Sequence, residues 1–173
     1  MKKSLLLIFL LSNFFGYAQY TLIPDAKFEQ ALINDGIDTG PLDGKVQTAS
    51  ISGITSLKIN SIGITDLTGI QDFTSLLGLT CLSNQLTKLD ISKNILLQSL
   101  DCDDNKLTSL DLSNNKDLEF ISFGRNLLTN IDLSKQVSLT NLYSHSNPLK
   151  TLDVSNNTKL LLLNCDSNQL MNS

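Results

Sequence analysis

A step of 21 residues runs through this chain in several columns at once. Leu86, Leu107, Leu128, Leu149 and Leu170 keep it, and so do Asn84, Asn105, Asn126, Asn147 and Asn168. Asp90, Asp111, Asp132 and Asp153 form a third column, Ser92, Ser113, Ser134 and Ser155 a fourth, and Leu97, Leu118, Leu139 and Leu160 a fifth. Columns held in phase over so many units mean an array of like structural elements rather than one irregular core. No unit of this length can bury an apolar face alone, so successive units must stack and cover one another.

One unit reads Leu97-x-x-Leu100-x-Cys102-x-x-Asn105-x-Leu107-x-x-Leu110-Asp111-Leu112-Ser113. That is the leucine-rich-repeat consensus. Units begin at Leu76, Leu97, Leu118, Leu139 and Leu160; a weaker one of 22 residues begins at Ile54, with Ile62 where the asparagine should stand. Alternation around Leu100-Asp101-Cys102 has period two, which predicts a strand with Leu100 and Cys102 turned inward. Strands of successive units should pair in parallel at about 4.8 Å. The expected fold is a leucine-rich-repeat solenoid, a curved right-handed coil with a parallel concave sheet. Its convex side should be extended or turn-rich with little helix, because segments such as Leu110–Asn115 are short and rich in turn formers. The asparagine column fits a structural role, since one amide can satisfy several backbone groups at a buried turn.

Two acidic features invite a metal reading. Four stacked aspartates in the Asp90/Asp111/Asp132/Asp153 column could hold calcium, but turn-stabilising bonds to nearby backbone N–H groups are the better account. The loop Asp38-Thr39-Gly40-Pro41-Leu42-Asp43-Gly44 lacks the helix–loop–helix calcium spacing and reads as a turn. No metal or cofactor is expected.

The N-terminal end divides in two. Lys2 and Lys3, an apolar run from Leu5 to Phe15 and Gly16-Tyr17-Ala18 describe a secretory signal peptide, residues 1–18, cleaved before Gln19. Residues 19–53 do not repeat and are expected to form a cap. Within it Pro24-Asp25 start an amphipathic helix carrying Phe28, Ala31 and Leu32 on one face. Residues 54–173 hold the repeats, about five full units and one partial. Removing the signal takes two lysines and no acid, so 13 basic residues fall to 11 against 17 acids, a net charge of −6. That sign argues against nucleic acid and anionic membrane as partners. No later stretch approaches a transmembrane length, so the expected destination is the exterior or the cell surface. The sixth unit stops at Ser173, inside a repeat, leaving an apolar edge around Leu160, Leu163 and Cys165. Either the chain is a piece of a longer protein, or that edge pairs with another molecule, end-to-end self-association included.

Catalytic chemistry finds little support. His145 is the only histidine, and neither a triad nor a zinc site assembles around it in sequence. There is no phosphate-binding glycine loop or dinucleotide motif. Cys81, Cys102 and Cys165 share one inward column. Cys81 and Cys102 lie on neighbouring coils, close enough for a disulfide, while Cys165 is three coils from Cys102, about 14 Å. Burial as small core hydrophobes is the better reading.

The chain resembles secreted bacterial leucine-rich-repeat proteins of the internalin type. Ile23-Pro24-Asp25 with Phe28 and Leu32, then Ile64-Thr65-Asp66-Leu67-Thr68-Gly69-Ile70, then the Leu-Asp-Leu-Ser-Asn-Asn segments carry the likeness. The resemblance implies a non-enzymatic binding module that meets its ligand on the concave sheet, with a protein as ligand first and a glycan second. The outward columns there read Lys58, Thr80, Asp101, Ser122, Tyr143, Asn164 and Asn60, Leu82, Asp103, Gly124, His145, Asp166. Two patches emerge from them. One is acidic, with Asp101, Asp103, Asp104 and Glu119; the other is aromatic, with Phe120, Tyr143 and His145 beside Arg125. The candidate ligand-binding set is therefore Asp101, Asp103, Phe120, Ser122, Arg125, Tyr143, His145 and Asn164.

Overall fold

A computed structural model describes residues 19–171; the signal peptide expected at 1–18 lies outside the described residues. The repeats form one six-stranded parallel sheet in chain order, from β3 (Ser56–Lys58) through β4 (Gly78–Thr80), β5 (Ser99–Asp101), β6 (Phe120–Ser122) and β7 (Asn141–Tyr143) to β8 (Leu162–Asn164). Register is uniform. Leu57, Leu79, Leu100, Ile121, Leu142 and Leu163 stand side by side at the strand centres. All but Leu163 are buried, in one apolar cluster with Leu76, Leu97, Leu118 and Leu139 from the turns that lead into the strands. Each such side chain taken from water favours the coil by about 1.5–3 kcal/mol.

The asparagine column is structural, as its residue type requires. The Asn105 Oδ1 accepts from the Leu86 amide of the preceding coil at 3.0 Å, while its Nδ2 donates to the carbonyls of Cys81, Cys102 and Asp103. Asn126 and Asn147 repeat the pattern. The aspartate column also resolves into turns: Asp90, Asp111, Asp132 and Asp153 each accept from the amide of the serine two residues on.

A second ladder, not anticipated, lines the convex wall. Asn94, Asn115, Gln136 and Asn157 are buried, and each side-chain nitrogen donates to two carbonyls of the preceding coil. Apart from a 3₁₀ turn at Ile70–Asp72 the convex side has no helix among the described residues.

The cap contains the expected helix, α1 (Ala26–Asn34), with Phe28 and Leu32 buried and Asp25 at its N-cap. One Asp25 oxygen accepts from Lys27 and Phe28 N–H; the other takes Thr65 N, Thr65 Oγ1 and Asp66 N, joining cap to first repeat. An antiparallel pair, β1 (Tyr20–Leu22) with β2 (Lys45–Gln47), and a short helix, α2 (Thr48–Ile51), complete it. The acidic loop is a turn organised from within: buried Glu29 accepts the amides of Asp43, Gly44 and Lys45.

Candidate binding face on the parallel sheet

Strand alternation turns the first and third residue of each strand outward, so two rows cross the sheet. The first runs Ser99, Phe120, Asn141, Leu162, and the second Asp101, Ser122, Tyr143, Asn164. Phe120 and Tyr143 stand diagonally on neighbouring strands, with ring centroids 5.7 Å apart and planes tilted by 42°. Both are partly exposed. Diagonal aromatic pairs at this separation hold each other in place, which gives a preformed apolar contact surface.

Ser122, expected on the surface, is only 4% exposed. Its hydroxyl donates to Asp103 Oδ1 at 2.5 Å, and the same oxygen takes the Gly124 amide at 2.6 Å. Ser122 is therefore the floor of the row and not one of its contact groups. A small residue beside an acid two strand positions further on carries no sequence signal that the two will bond across coils.

Arg125 and His145 form a separate unit beside the rings. Arg125 Nε lies 3.4 Å from Asp104 Oδ1 and its Nη2 3.8 Å from Asp103 Oδ2. Its Nη1 meets His145 Nε2 at 2.9 Å. A guanidinium only donates, so Nε2 accepts and the imidazole proton resides on Nδ1, which is buried without a partner. Arg125 sits in the turn column where Ser61, Ser83, Asp104, Ser146 and Ser167 also have positive φ; its own is 49°. The structure thus gives Asp103, Arg125 and His145 internal partners. The sequence placed Asp103 in the acidic patch and Arg125 and His145 with the aromatic one, each as a free contact group.

Asp101 differs. Its Oδ1 accepts the Asp103 amide at 3.2 Å, and no cation pairs with it among the described residues. Burial pushes its carboxyl above the usual range and the charge of Asp103 adds to this, while the Asp103 amide and the Arg125 charge oppose. Asn164 is partly exposed on β8, with Oδ1 holding the Asp166 amide.

Among the described residues no three His, Cys, Asp or Glu side chains are arranged to hold a metal ion. The buried Ser144 hydroxyl goes to the Asn164 carbonyl and Ser122 to Asp103, so neither serine is paired with His145. A depression of about 390 Å³ lies away from this face, along α1 at Ala26, Lys27, Gln30, Ala31, Asn34 and Ile62. It is open, and its polar side chains are engaged within the fold: Lys27 Nζ donates to the Gly63 carbonyl and Gln30 Nε2 to Asn34 Oδ1, so the sheet face remains the better candidate.

No protein-family description matches the chain, and no curated protein resembles it significantly. Solved structures do. The functional domain of InlJ from Listeria monocytogenes, described as including a cysteine ladder, aligns at 28% identity with a TM-score of 0.64, over 90% of this chain and 45% of that one. The internalin InlF of the same organism aligns at 22% identity with a TM-score of 0.81, over 87% and 46%. A leucine-rich-repeat protein of Leptospira interrogans aligns at 18% identity and 0.55, over 72% and 40%. The fold is a leucine-rich-repeat solenoid of the internalin type. The chain spans less than half the length of each of these three structures.

No helix among the described residues is long and apolar enough to cross a membrane.

Proposed function

We propose that this chain is an exported, non-enzymatic binding module whose sheet face engages a protein partner at Phe120 and Tyr143. The observation that carries the reading is the aromatic pair itself, partly exposed on strands whose other outward residues are small or polar. Aromatic anchors on a rigid scaffold supply contact area at little entropic cost. Export rests on the residue pattern of 1–18. Fractionating cells that express the chain with and without residues 1–18 tests it; equal retention of both forms would sink it.

A glycan is the second reading, favoured by the amides of Asn141 and Asn164 beside the rings. Arrays of purified proteins and of glycans, probed with residues 19–173, separate the two. Phe120→Ala with Tyr143→Ala is expected to abolish whichever signal appears. Unchanged binding by that folded double variant removes the sheet-face proposal.

A further inference from the structure

The cap carries a feature independent of the sheet face. Between the loop that follows α1 and the β1–β2 pair lies a depression of about 270 Å³, whose lining includes Tyr20, Asp38, Asp43, Lys45, Gln47 and Ser50. Asp38 belongs to that lining although it is only 6% exposed. Its Oδ1 accepts the Gly40 amide at 2.9 Å and so fixes the turn. Its Oδ2 is buried with no hydrogen-bond partner. A carboxylate oxygen so placed has lost water without gaining a donor, the costliest condition for a charged group.

The chain's own cations leave that oxygen alone. Lys45, on the rim, has its Nζ 3.4 Å from Asp43 Oδ2 and 5.1 Å from the centroid of the Tyr20 ring. No ion pair joins it to Asp38 among the described residues. A metal ion fits poorly, because it takes several oxygen ligands and no three His, Cys, Asp or Glu side chains converge among the described residues. Residues 19–53 carry five acids against two lysines, a field that draws organic cations.

We infer that this depression binds a primary ammonium group, which donates to Asp38 Oδ2. An ammonium is a compact point donor and is satisfied by one oxygen. The guanidinium fork takes both oxygens of a carboxylate, and here Oδ1 is already held by Gly40. A charge-assisted bond of this kind gives the buried oxygen the donor that the fold withholds. A free small amine and the lysine of a partner protein present the same group. This site stands or falls apart from the sheet face.

The test follows amide chemical shifts of residues 19–173 as n-butylammonium chloride is added, with n-butanol as the neutral match and sodium chloride as the salt match. The ammonium should shift Asp38, Thr39 and Gly40; the alcohol and the salt should not. Asp38→Asn retains the acceptor for the Gly40 amide and should weaken binding about tenfold or more, as loss of one member of a buried charge pair does. Asp43→Asn, on the exposed rim, should change it less than about twofold. If Asp38→Asn does not fold, Ser50→Trp closes the depression from an exposed position and should abolish binding. Equal shifts with butanol, no shifts from Asp38 to Gly40, equal losses in Asp38→Asn and Asp43→Asn, or binding kept in the folded variant would overturn the inference. Cadaverine and a blocked lysine amide then distinguish the sources: tighter binding of the diamine assigns a free amine, and tighter binding of the lysine assigns a protein partner.

Discussion

The ring of His145 packs against the backbone of Gly124 so closely that a Cβ on residue 124 would overlap three of its atoms. Glycine at this outward position lets the imidazole lie across the neighbouring strand and reach Arg125 at 2.9 Å. Gly124→Ala should push the ring off and cost about 1 kcal/mol of stability, the low end of overpacking because His145 is partly exposed and can turn away. In a His145→Ala background the same substitution should cost almost nothing. Chemical denaturation of the four proteins of this cycle measures the coupling; additive effects would show that the contact is not the reason for the glycine.

Asn126 answers for four backbone groups at once, the Leu107 amide and the carbonyls of Cys102, Phe123 and Gly124. Asn126→Ala leaves the Leu107 N–H buried and unpaired, while the three carbonyls each keep one other donor (Asn105 Nδ2, Asn147 Nδ2 and Asp104 N), and is expected to cost about 1–3 kcal/mol. Truncating exposed Asn130 should fall within about 0.5 kcal/mol of wild type. Similar losses at both positions would contradict the structural role of the ladder.

Acid and alkaline behaviour should divide along two sets of aspartates. In Asp111 and Asp153 the serine amide and then its hydroxyl hold the carboxyl below its usual value; in Asp90 and Asp132 the hydroxyl leads. A lowered folded value means stability present above the unfolded value, near pH 4, and lost as pH falls through the folded one. Asp101 has the opposite sign: its raised carboxyl opposes folding when ionised, and that penalty is relieved on acidification. Thermal denaturation from pH 7 to pH 3 should show a shallower acid loss in Asp111→Asn. Asp101→Asn should be more stable than wild type at pH 7. Lower stability of Asp101→Asn at pH 7 would refute the assignment.

Cys81 and Cys102 are fully buried side by side in the inward column, and burial, then nearby negative charge, pushes the Cys81 thiol up to about 12. Cys165 is partly exposed. A thiol reagent at pH 8 should therefore modify Cys165 first and reach the other two only after denaturant is added. Cys102→Ser should lower stability by about 1–2 kcal/mol and leave ligand binding intact. Rapid labelling of all three native thiols would show that the coil interior opens.

Much of the fold could be read from periodicity because each column answers one local demand. Leu100 and Cys102 alternate as a strand must, and Asn105 recurs because every coil needs the same amide. The convex ladder kept the same step, but Gln136 interrupts its asparagines, so it did not declare itself as one column. The β1–β2 pair and the burial of Glu29 depend on contacts within a cap that occurs once, where no repetition helps. On the candidate face, Phe120 and Tyr143 could be brought together from register alone. The loss of Ser122 to the floor, and of Arg125 and His145 to each other, depends on side-chain bonds between coils that strand alternation does not encode.

Each ladder asparagine completes the coil before it: Asn105 closes on Leu86, Asn126 on Leu107, Asn147 on Leu128. The joint between any two coils is therefore the same joint. An in-frame duplication of a single unit in the gene would insert a coil already fitted to both neighbours. Recognition surfaces built this way can grow or shrink by recombination, with new side-chain combinations tried on a frame that needs no redesign.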